Sequence, residues 1–515
     1  MHVKNSDEYI LAIDIGTQNT KIALFDSNLN IISKAFRENI LITPRPGWAE
    51  EDPELWWQGT VEGIREILSK SGISPDKIIG IGVSGQMHAT VPISKDGELL
   101  SRGVLLWCDK RSYPQCVKVK QKVDELKLME VTGNLASPSW WGFHIAWIKE
   151  EAPKLYENTF KFLTSSSFIV YKLTGSISID WTEASGSYLM DIRTLDWSNE
   201  MLSLLNIDHE KLPPIYKSYD IVGTVSENAA RITGLKPGIP VIAGAGDFLS
   251  AALGAGCTCK GRCFIMTGTA SDVAAFVEYP VISPALQNLH HSIDGWITFG
   301  IVEGVGALYR WFKDNIAIPE SMEAKNRNIS VYQVLDEKIA SINSGSEGLL
   351  VYPFPLGERP PGNVNSRVVL FGLHLSHTRY HIARAILEGI AYAEREILDE
   401  IEKYTNTKIE EVRLANGGAQ SIVWSKIRAN IFGKPVFLPA VPEGALLGDA
   451  ILVCIGLKIF NINEIVNIVD NVVKPKIILK PDKYEHEIYN KFYAIFKKFR
   501  NTFWNLFDEL AAIQQ

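Results

Sequence analysis

Long hydrophobic runs are missing from this sequence. Its apolar segments are only as long as strands, and glycine or polar residues interrupt them. A membrane-spanning helix needs about 20 consecutive apolar residues, so we expect no membrane span. The N-terminus also lacks a basic stretch followed by an apolar segment, which is the pattern of a signal peptide. These absences predict a soluble, cytoplasmic protein without a membrane partner.

Cysteine and surplus positive charge are also scarce. Six cysteines among 515 residues are too few for a disulfide framework. Cys257, Cys259 and Cys263 form a C-x-C-x3-C cluster. Because the cluster lacks a nearby fourth ligand for zinc, we interpret its members as reduced structural thiols. The formal net charge is −7 and no basic run is long, which excludes a typical nucleic-acid-binding surface.

Length and composition are those of a globular protein with two large domains. A chain of 515 residues is too long for a single core. Its content of 46% hydrophobic and 22% charged residues is ordinary for a globular protein. A turn-rich segment precedes Pro240, and we therefore predict one domain over residues 1–242 and a second over 243–515.

The segment Ile10–Asp26 contains two apolar runs separated by a small polar turn, which predicts a strand, a turn and a second strand. Asp14 ends the first run, where its carboxylate can face a bound cation. Gly16 lets a phosphate approach the backbone, and Thr17 adds a hydroxyl. Taken alone, an acidic residue followed by Gly-Thr is more often only a hairpin turn.

A second copy of this pattern changes the interpretation. Gly268-Thr269 lies between two further apolar runs, 252 residues after Gly16-Thr17 and close to half of the chain length. Internal repeats of this kind indicate repeated structural units. The two hairpins therefore predict two related domains that close on one nucleotide.

Polar side chains follow two predicted strands. The strand Ile78–Val83 leads into Met87 and His88, and a second strand ends at Trp107 and Asp109. Ligands bind outside the carboxyl ends of strands in open α/β sheets, so these loops are candidates for substrate contact. The alternatives are a loop histidine bonded to backbone and, for Asp109, an ion pair with Arg111 that orders the pocket.

Asp247 follows the strand Pro240–Gly244 in the sequence Gly-Ala-Gly-Asp, and a helix rich in small residues comes next. This places a carboxylate at a strand-to-helix turn that faces the cleft. The alternative role is a helix N-cap.

Over about Tyr9 to Leu457, these motifs and their order resemble the FGGY family of carbohydrate kinases, and within it the xylulokinase branch. Gly-Gln-Met-His, ending at His88, resembles the sugar-contact motif of that branch, and Trp107-x-Asp109-x-Arg111 has its counterpart in the family. The resemblance implies an α/β fold of two actin-like (ribonuclease H-like) ATPase domains flanking a deep cleft.

The resemblance also implies an activity. The γ-phosphoryl group of ATP would be transferred to a primary hydroxyl of a small sugar, a ketopentose, with D-xylulose giving xylulose 5-phosphate. Asp247 would contact the sugar and accept the hydroxyl proton. Asp14 would hold Mg²⁺, through water. The other substrate contacts would be Met87, His88, Trp107 and Asp109.

The implied nucleotide contacts come from both hairpins and from two further glycine-containing segments. Gly417 and Gly418 leave bare backbone against which adenine can lie. The complete implied set is Thr17, Gln18, Thr20, Lys21, Gly268, Thr269, Gly306, Gly417 and Gly418. A homodimer is a further expectation from the family.

Three departures from the family pattern leave the substrate open. His144 stands where a lysine is usual, Trp141 where a small or hydroxyl residue is usual, and Phe248 where an amide is usual. Trp140 and Trp141 could stack on a sugar or belong to the core. Gluconokinase or another polyol or ketose kinase is therefore the alternative, and a non-catalytic sugar sensor or actin-like protein is a remote one.

Overall fold

The structure is a computed structural model that describes residues 7–359, 361–415 and 417–513. Two mixed sheets organise it, one in each half of the chain.

The strands of the first half are β1 (Tyr9–Ile15), β2 (Asn19–Phe25), β3 (Ile31–Glu38), β4 (Glu50–Glu51), β5 (Ile78–Gly85), β6 (Val91–Ile93), β7 (Val104–Leu105), β8 (Lys161–Leu163), β9 (Ile179–Asp180), β10 (Met190–Asp191), β11 (Asp196–Trp197), β12 (Ile215–Tyr216), β13 (Ile221–Thr224), β14 (Pro240–Ile242) and β15 (Ala245–Gly246). The helices of that half are α1 (Pro53–Ser71), α2 (Tyr113–Lys122), α3 (Glu125–Thr132), α4 (Trp141–Glu151), α5 (Pro153–Asn158), α6 (Ser165–Thr174), α7 (Trp181–Ser185), α8 (Asn199–Leu205), α9 (Glu227–Thr233) and α10 (Asp247–Ala255).

The strands of the second half are β16 (Arg262–Thr267), β17 (Ser271–Val277), β18 (Gln287–His290), β19 (Trp296–Val302), β20 (Leu350–Tyr352), β21 (Val369–Phe371), β22 (Glu411–Ala415), β23 (Val436–Pro439) and β24 (Pro475–Leu479). Its helices are α11 (Val305–Asn315), α12 (Ile318–Arg327), α13 (Val331–Ile339), α14 (Arg379–Thr405), α15 (Ile422–Phe432), α16 (Gly444–Gly456), α17 (Ile465–Val472) and α18 (Lys483–Ile513).

The two sheets repeat one topology. The first has the order β13-β14-β5-β1-β2-β3, and the second contains the order β24-β23-β22-β16-β17-β19. In the first sheet β1 is antiparallel to β2 and parallel to β5. In the second, β16 is antiparallel to β17 and parallel to β22. The predicted strand–turn–strand units and their repetition are confirmed.

Helix α1 shows how local sequence sets an element. Asp52 caps it by accepting a hydrogen bond from the N–H of Glu54 at 3.0 Å, and Gly72 ends it with φ 66°. A Cβ on Gly63 would lie 2.3 Å from Cδ1 of Ile22, so glycine at this position lets the helix approach the first sheet. The start, end and close packing of this helix therefore follow from its local sequence.

Helices α10 and α16 connect the two halves. A Cβ on Gly254 would lie 1.9 Å from the carbonyl oxygen of Gly444, and one on Gly448 would lie 2.0 Å from that of Ser250. The two backbones therefore touch where the helices cross. Helix α16 packs its apolar side on β1 and β5 of the first sheet, although it comes from the second half of the chain. Helix α10 shares a core cluster with Phe264 of the second sheet.

Strand β15 pairs with β5 of the first sheet, although residues 243–515 were assigned to the second domain. The boundary after residue 242 stays a prediction. At the other end of the chain, α18 buries aromatic residues in the core of the second half, as predicted for an amphipathic tail. Among the helices of the described ranges, none combines the length and apolar character needed to cross a bilayer.

Candidate active site

A cavity of about 200 Å³ lies between the two halves of the molecule. Five of the residues predicted for the site line it together: Thr17, Met87, His88, Trp107 and Asp247. A second cavity of about 460 Å³ lies beside Cys259. Its described lining contains none of the predicted catalytic or binding residues, so we place the chemistry in the smaller cavity, which Asp247 lines.

Asp14 ends β1 with its side chain almost fully buried. Its carboxylate is 3.0 Å from the ammonium of Lys21 and 3.4 Å from the hydroxyl of Ser84. Lys21 stands opposite Asp14 on β2, so the hairpin itself supplies the countercharge.

Beneath Asp14 lies a further carboxylate, that of Asp449 on α16. Its two oxygens are each 2.7 Å from a hydroxyl, one of Ser84 on β5 and one of Ser250 on α10. The side chain is fully buried, and burial raises the pKa of Asp449 well above its ordinary value. These hydrogen bonds connect β5 and the two crossing helices directly below the cavity.

Asp247 is the first residue of α10, and its side chain lines the cavity. One carboxylate oxygen accepts a hydrogen bond from the N–H of Phe248 at 2.7 Å. Burial, and next the neighbouring charge of Asp14, raise the pKa of Asp247 to about 7. A carboxylate with such a pKa is suited to accept a proton near neutral pH.

His88 also lines the cavity, where it is held in a strained backbone conformation. Its φ is 65°, and its N–H donates to Glu183 at 3.0 Å. The ring meets Trp140 edge to face at 5.2 Å, and a Cβ on Gly186 would lie 2.3 Å from ring atom Cε1. Burial and the adjacent His144 lower the pKa of His88 to about 3. The imidazole is therefore neutral near pH 7, with one donor and one acceptor nitrogen.

A chain of hydrogen bonds fixes the first turn to the end of β5. The indole N–H of Trp107 donates to the hydroxyl of Thr17 at 3.1 Å, and Thr17 donates to Gln86 at 3.0 Å. The amide of Gln86 donates in turn to Glu51 at 2.9 Å. Sequence reasoning assigned no role to Gln86, although it belongs to the Gly-Gln-Met-His motif.

The glycine turns predicted for the nucleotide converge on the β16–β17 turn. The N–H of Gly306 donates to the carbonyl of Thr269 at 3.0 Å, and a Cβ on Gly306 would lie 1.8 Å from the carbonyl oxygen of Gly268. A Cβ on Gly418 would lie 2.6 Å from Cβ of Thr267. Gly268, Thr269 and Gly417 are exposed. The second half therefore presents a continuous glycine-rich surface beside the cavity.

Two predicted contacts are corrected by the geometry. Asp109 is fully buried, and its carboxylate is occupied by the guanidinium of Arg111 and the N–H of Ala49. It orders the pocket through Arg111 and is not available to substrate. The buried hydroxyl of Thr20 donates to Asn39 at 3.1 Å, so it does not face a phosphate. Gln18 is exposed, and its backbone carbonyl accepts from Asn39 at 2.9 Å.

The positions that depart from the family pattern take different places. Trp140 lines the cavity, whereas Trp141 is fully buried and packs near Trp197. His144 is buried behind His88. Phe248 lines the cavity and packs against other aromatic rings, so this wall is apolar.

From the second half of the chain, sequence reasoning missed three polar residues that line the cavity, Asp272, Gln287 and Arg359. Asp272 lies in the second hairpin, which was predicted without a role for this side chain, and Arg359 lies between β20 and β21. No sequence signal pointed to Gln287.

The oxygen atoms that Asp14 and its neighbour Asp247 offer as metal ligands suit a magnesium ion. Asp14 and Asp247 supply only carboxylate oxygens, and their mutual repulsion contributes to the raised pKa of Asp247. Within the described ranges, no three His, Cys, Asp or Glu side chains form a group that could hold a metal by themselves. Mg²⁺ commonly uses one or two carboxylates, with waters and substrate phosphates completing its shell. The residues present therefore fit this ion.

Comparison with known proteins agrees with this geometry. The model for the N-terminal domain of the FGGY family of carbohydrate kinases matches residues 9–254, and that for the C-terminal domain matches residues 261–457. The xylulose kinase of Bacillus subtilis (strain 168) is 30% identical over 453 residues, covering 87% of this chain and 88% of that protein. The gluconokinase of the same organism is 29% identical over 453 residues, 86% of each chain.

Among solved structures, xylulose kinase from Rhodospirillum rubrum superposes with a TM-score of 0.88 and 27% identity, covering 97% of this chain and 100% of that one. The predicted fold of two actin-like ATPase domains is confirmed. The chain belongs to the FGGY family of carbohydrate kinases, enzymes that use ATP to phosphorylate small sugars.

Proposed function

We propose that the protein phosphorylates D-xylulose on its primary hydroxyl with ATP, giving xylulose 5-phosphate. The observation that carries the proposal is the position of Asp247, which lies in the cavity beside the Asp14 hairpin, with the Met87-His88 loop also lining that cavity. The similarity to xylulose kinases adds the substrate class.

In this proposal Asp247 removes the proton from the attacking hydroxyl. A buried carboxylate with a pKa of about 7 can accept this proton without a large free-energy penalty. His88 and Met87 orient the sugar, and Gln86 and Trp107 hold the Thr17 turn in place. Catalysis then depends mainly on positioning and on charge stabilisation of the transferring group.

The nucleotide is proposed to lie against the two hairpin turns and the glycine surface. Gly268 and Thr269 face the phosphates, and Gly417 and Gly418 face adenine. Asp14 holds Mg²⁺, which when bound neutralises phosphate charge. Lys21 holds the Asp14 carboxylate in place through an ion pair at 3.0 Å.

Gluconate is the second candidate substrate. It is favoured by the similarity to a gluconokinase and by the guanidinium of Arg359, which lines the cavity. The cytoplasmic location and the homodimer stay predictions, and light scattering on the purified protein would test the dimer.

A substrate panel tests the proposal. Initial rates with Mg²⁺–ATP would be measured on one preparation for D-xylulose, D-ribulose, D-gluconate, glycerol and erythritol. We expect the highest kcat/KM for D-xylulose. If kcat/KM for D-gluconate were more than tenfold higher, about 1.4 kcal/mol of transition-state binding, D-gluconate would be the substrate in place of D-xylulose. The assignment as a sugar kinase would stand.

A further inference from the structure

Asp272 places a carboxylate on the cavity-facing side of the second sheet. On β17 it stands opposite Met266 of β16 and Ile301 of β19. All three residues line the cavity, and Phe299 lines it two positions further along. Asp272 is therefore an acidic side chain in an otherwise apolar row.

The carboxylate of Asp272 has no protein partner in the described part of the chain, where it neither accepts a hydrogen bond nor forms an ion pair. Arg359 and Glu303 are the charged groups that influence it, and the guanidinium of Arg359 is paired with Glu303. Burial raises the pKa of Asp272 to about 7. Because a partly buried carboxylate without hydrogen-bond partners is costly, a group that donates hydrogen bonds to Asp272 would be bound favourably.

The cavity contains Asp247 as its second acidic residue among the described lining side chains, and Arg359 as its cation. Arg359 already pairs through Nε with Glu303, so the positive charge that it can offer an acidic substrate is partly neutralised. A sugar acid would bring a third carboxylate close to Asp247 and Asp272. A neutral sugar would bring hydroxyl donors instead.

We propose that Asp272 is a specificity-determining residue that accepts hydrogen bonds from hydroxyl groups of a neutral sugar or polyol and disfavours sugar acids. This inference rests on the proposed sugar kinase activity and narrows its substrate class. It separates the two candidates above, since D-xylulose is neutral and D-gluconate is an anion.

The test compares Asp272→Asn with wild type and with Glu278→Gln. Glu278 follows the far end of the same strand, is exposed and pairs with Lys260 at 2.7 Å, so the control changes the same charge outside the cavity. Asp272→Ser serves as a second variant if the asparagine variant has a lowered thermal midpoint. Binding is followed by tryptophan fluorescence, because Trp107 and Trp140 line the cavity.

The ligands are D-glucitol and D-gluconate, which share a six-carbon chain and differ at one end in charge, together with D-xylulose. We expect wild type to bind D-glucitol at least tenfold more tightly than D-gluconate, about 1.4 kcal/mol. In Asp272→Asn this ratio should fall below threefold, and kcat/KM for D-xylulose should fall at least tenfold. Glu278→Gln should match wild type in both.

Several results would overturn the role of Asp272. These are an unchanged ligand ratio in Asp272→Asn, a wild-type preference for D-gluconate, no measurable binding of either neutral ligand, or a change confined to the Mg²⁺ dependence. An equal loss for every ligand and for ATP would mark a structural role only. Failure of wild type to phosphorylate any sugar would instead refute the proposed function. The ratio of D-glucitol to D-gluconate affinity would still test the role of Asp272 in ligand binding.

Discussion

The two hairpins of the molecule have the same topology and different chemistry. At the second pair back from each turn, the first hairpin pairs Asp14 with Lys21 and the second pairs Met266 with Asp272. In the first, acid and base neutralise each other at 3.0 Å. In the second, the acid stands opposite a thioether. The repeated fold thus provides two equivalent places at the cleft, and we propose that the first serves the metal and phosphates and the second serves the sugar.

The turns of the two hairpins also differ, in their length and in their surroundings. Four residues separate Ile15 from Thr20 in the first hairpin, and three separate Thr267 from Ser271 in the second. The first turn is tied to β5 through Thr17 and Gln86, whereas a Cβ on Gly268 would meet nothing within 4 Å. Each turn is held by a neighbouring segment, the second by the N–H of Gly306, and the open space beside Gly268 can admit a ligand.

The largest effect is expected from Asp247→Asn, which removes the proton acceptor between the two hairpins. Turnover should fall at least about 10²-fold, because general-base catalysis contributes on this scale. Binding of sugar and of ATP, measured by calorimetry, should persist since the side chain keeps its shape. Retention of more than about a tenth of wild-type kcat would show that Asp247 only caps α10.

Asp14→Asn tests the assignment of the first hairpin to the metal. We expect the Mg²⁺ concentration needed for half-maximal rate to rise about 10- to 100-fold, while the Kd for D-xylulose stays close to the wild-type value. Lys21→Met serves as a comparison, because it removes the countercharge and leaves the carboxylate. An unchanged Mg²⁺ dependence in Asp14→Asn would mean that the residue only shapes the hairpin.

Met266→Lys would give the second hairpin an acid–base pair like that of the first. The new ammonium would stand opposite Asp272 as Lys21 stands opposite Asp14, and it would compete with the sugar hydroxyls for the carboxylate. We expect kcat/KM for D-xylulose to fall about tenfold, whereas Met266→Leu should change it little. If the lysine variant matched the leucine variant, Asp272 would have no part in binding the sugar.

The smallest expected effect is a shift in pH dependence. Asp247 has to be ionised to accept a proton, so with a pKa of about 7 kcat/KM should decline as the pH falls below about 7. His88, with its pKa near 3, cannot cause this decline. Because the charge of Asp14 contributes to the raised pKa of Asp247, the acidic limb of Asp14→Asn should lie at lower pH. An identical pH profile in both proteins would rule out this coupling.

Local signals in the sequence predicted the elements and the outline of the site well. Asp52-Pro53 and Gly72 bracket α1, and the Gly-x-Gly-Asp turn positions Asp247. These features depend on neighbouring residues, because caps and turns are local interactions.

Features that depend on distant pairing were not predictable from these signals. Alternation along β17 puts Asp272 on one face of the sheet, but which face meets the cleft depends on partner strands and on the other half of the molecule. The hydrogen bond between Ser84 and Asp449 joins residues 365 positions apart. The direction of the Thr20 hydroxyl, toward Asn39, follows from the pairing of the hairpin with its neighbours.

The crossing of α10 and α16 has a consequence for how the chain is made. Strands β1 and β5 are complete once residue 85 has left the ribosome, but the helix that covers one face of their sheet ends at residue 456. At a synthesis rate of about 5–20 residues per second, roughly 20 to 70 seconds pass before α16 is made and can cover that face. During synthesis the first half of the chain therefore exposes an apolar surface, to which we expect chaperones to bind. We expect a chain that stops at residue 242 to collect in the insoluble fraction of a cell lysate, and recovery of a soluble, cooperatively melting fragment would contradict this expectation.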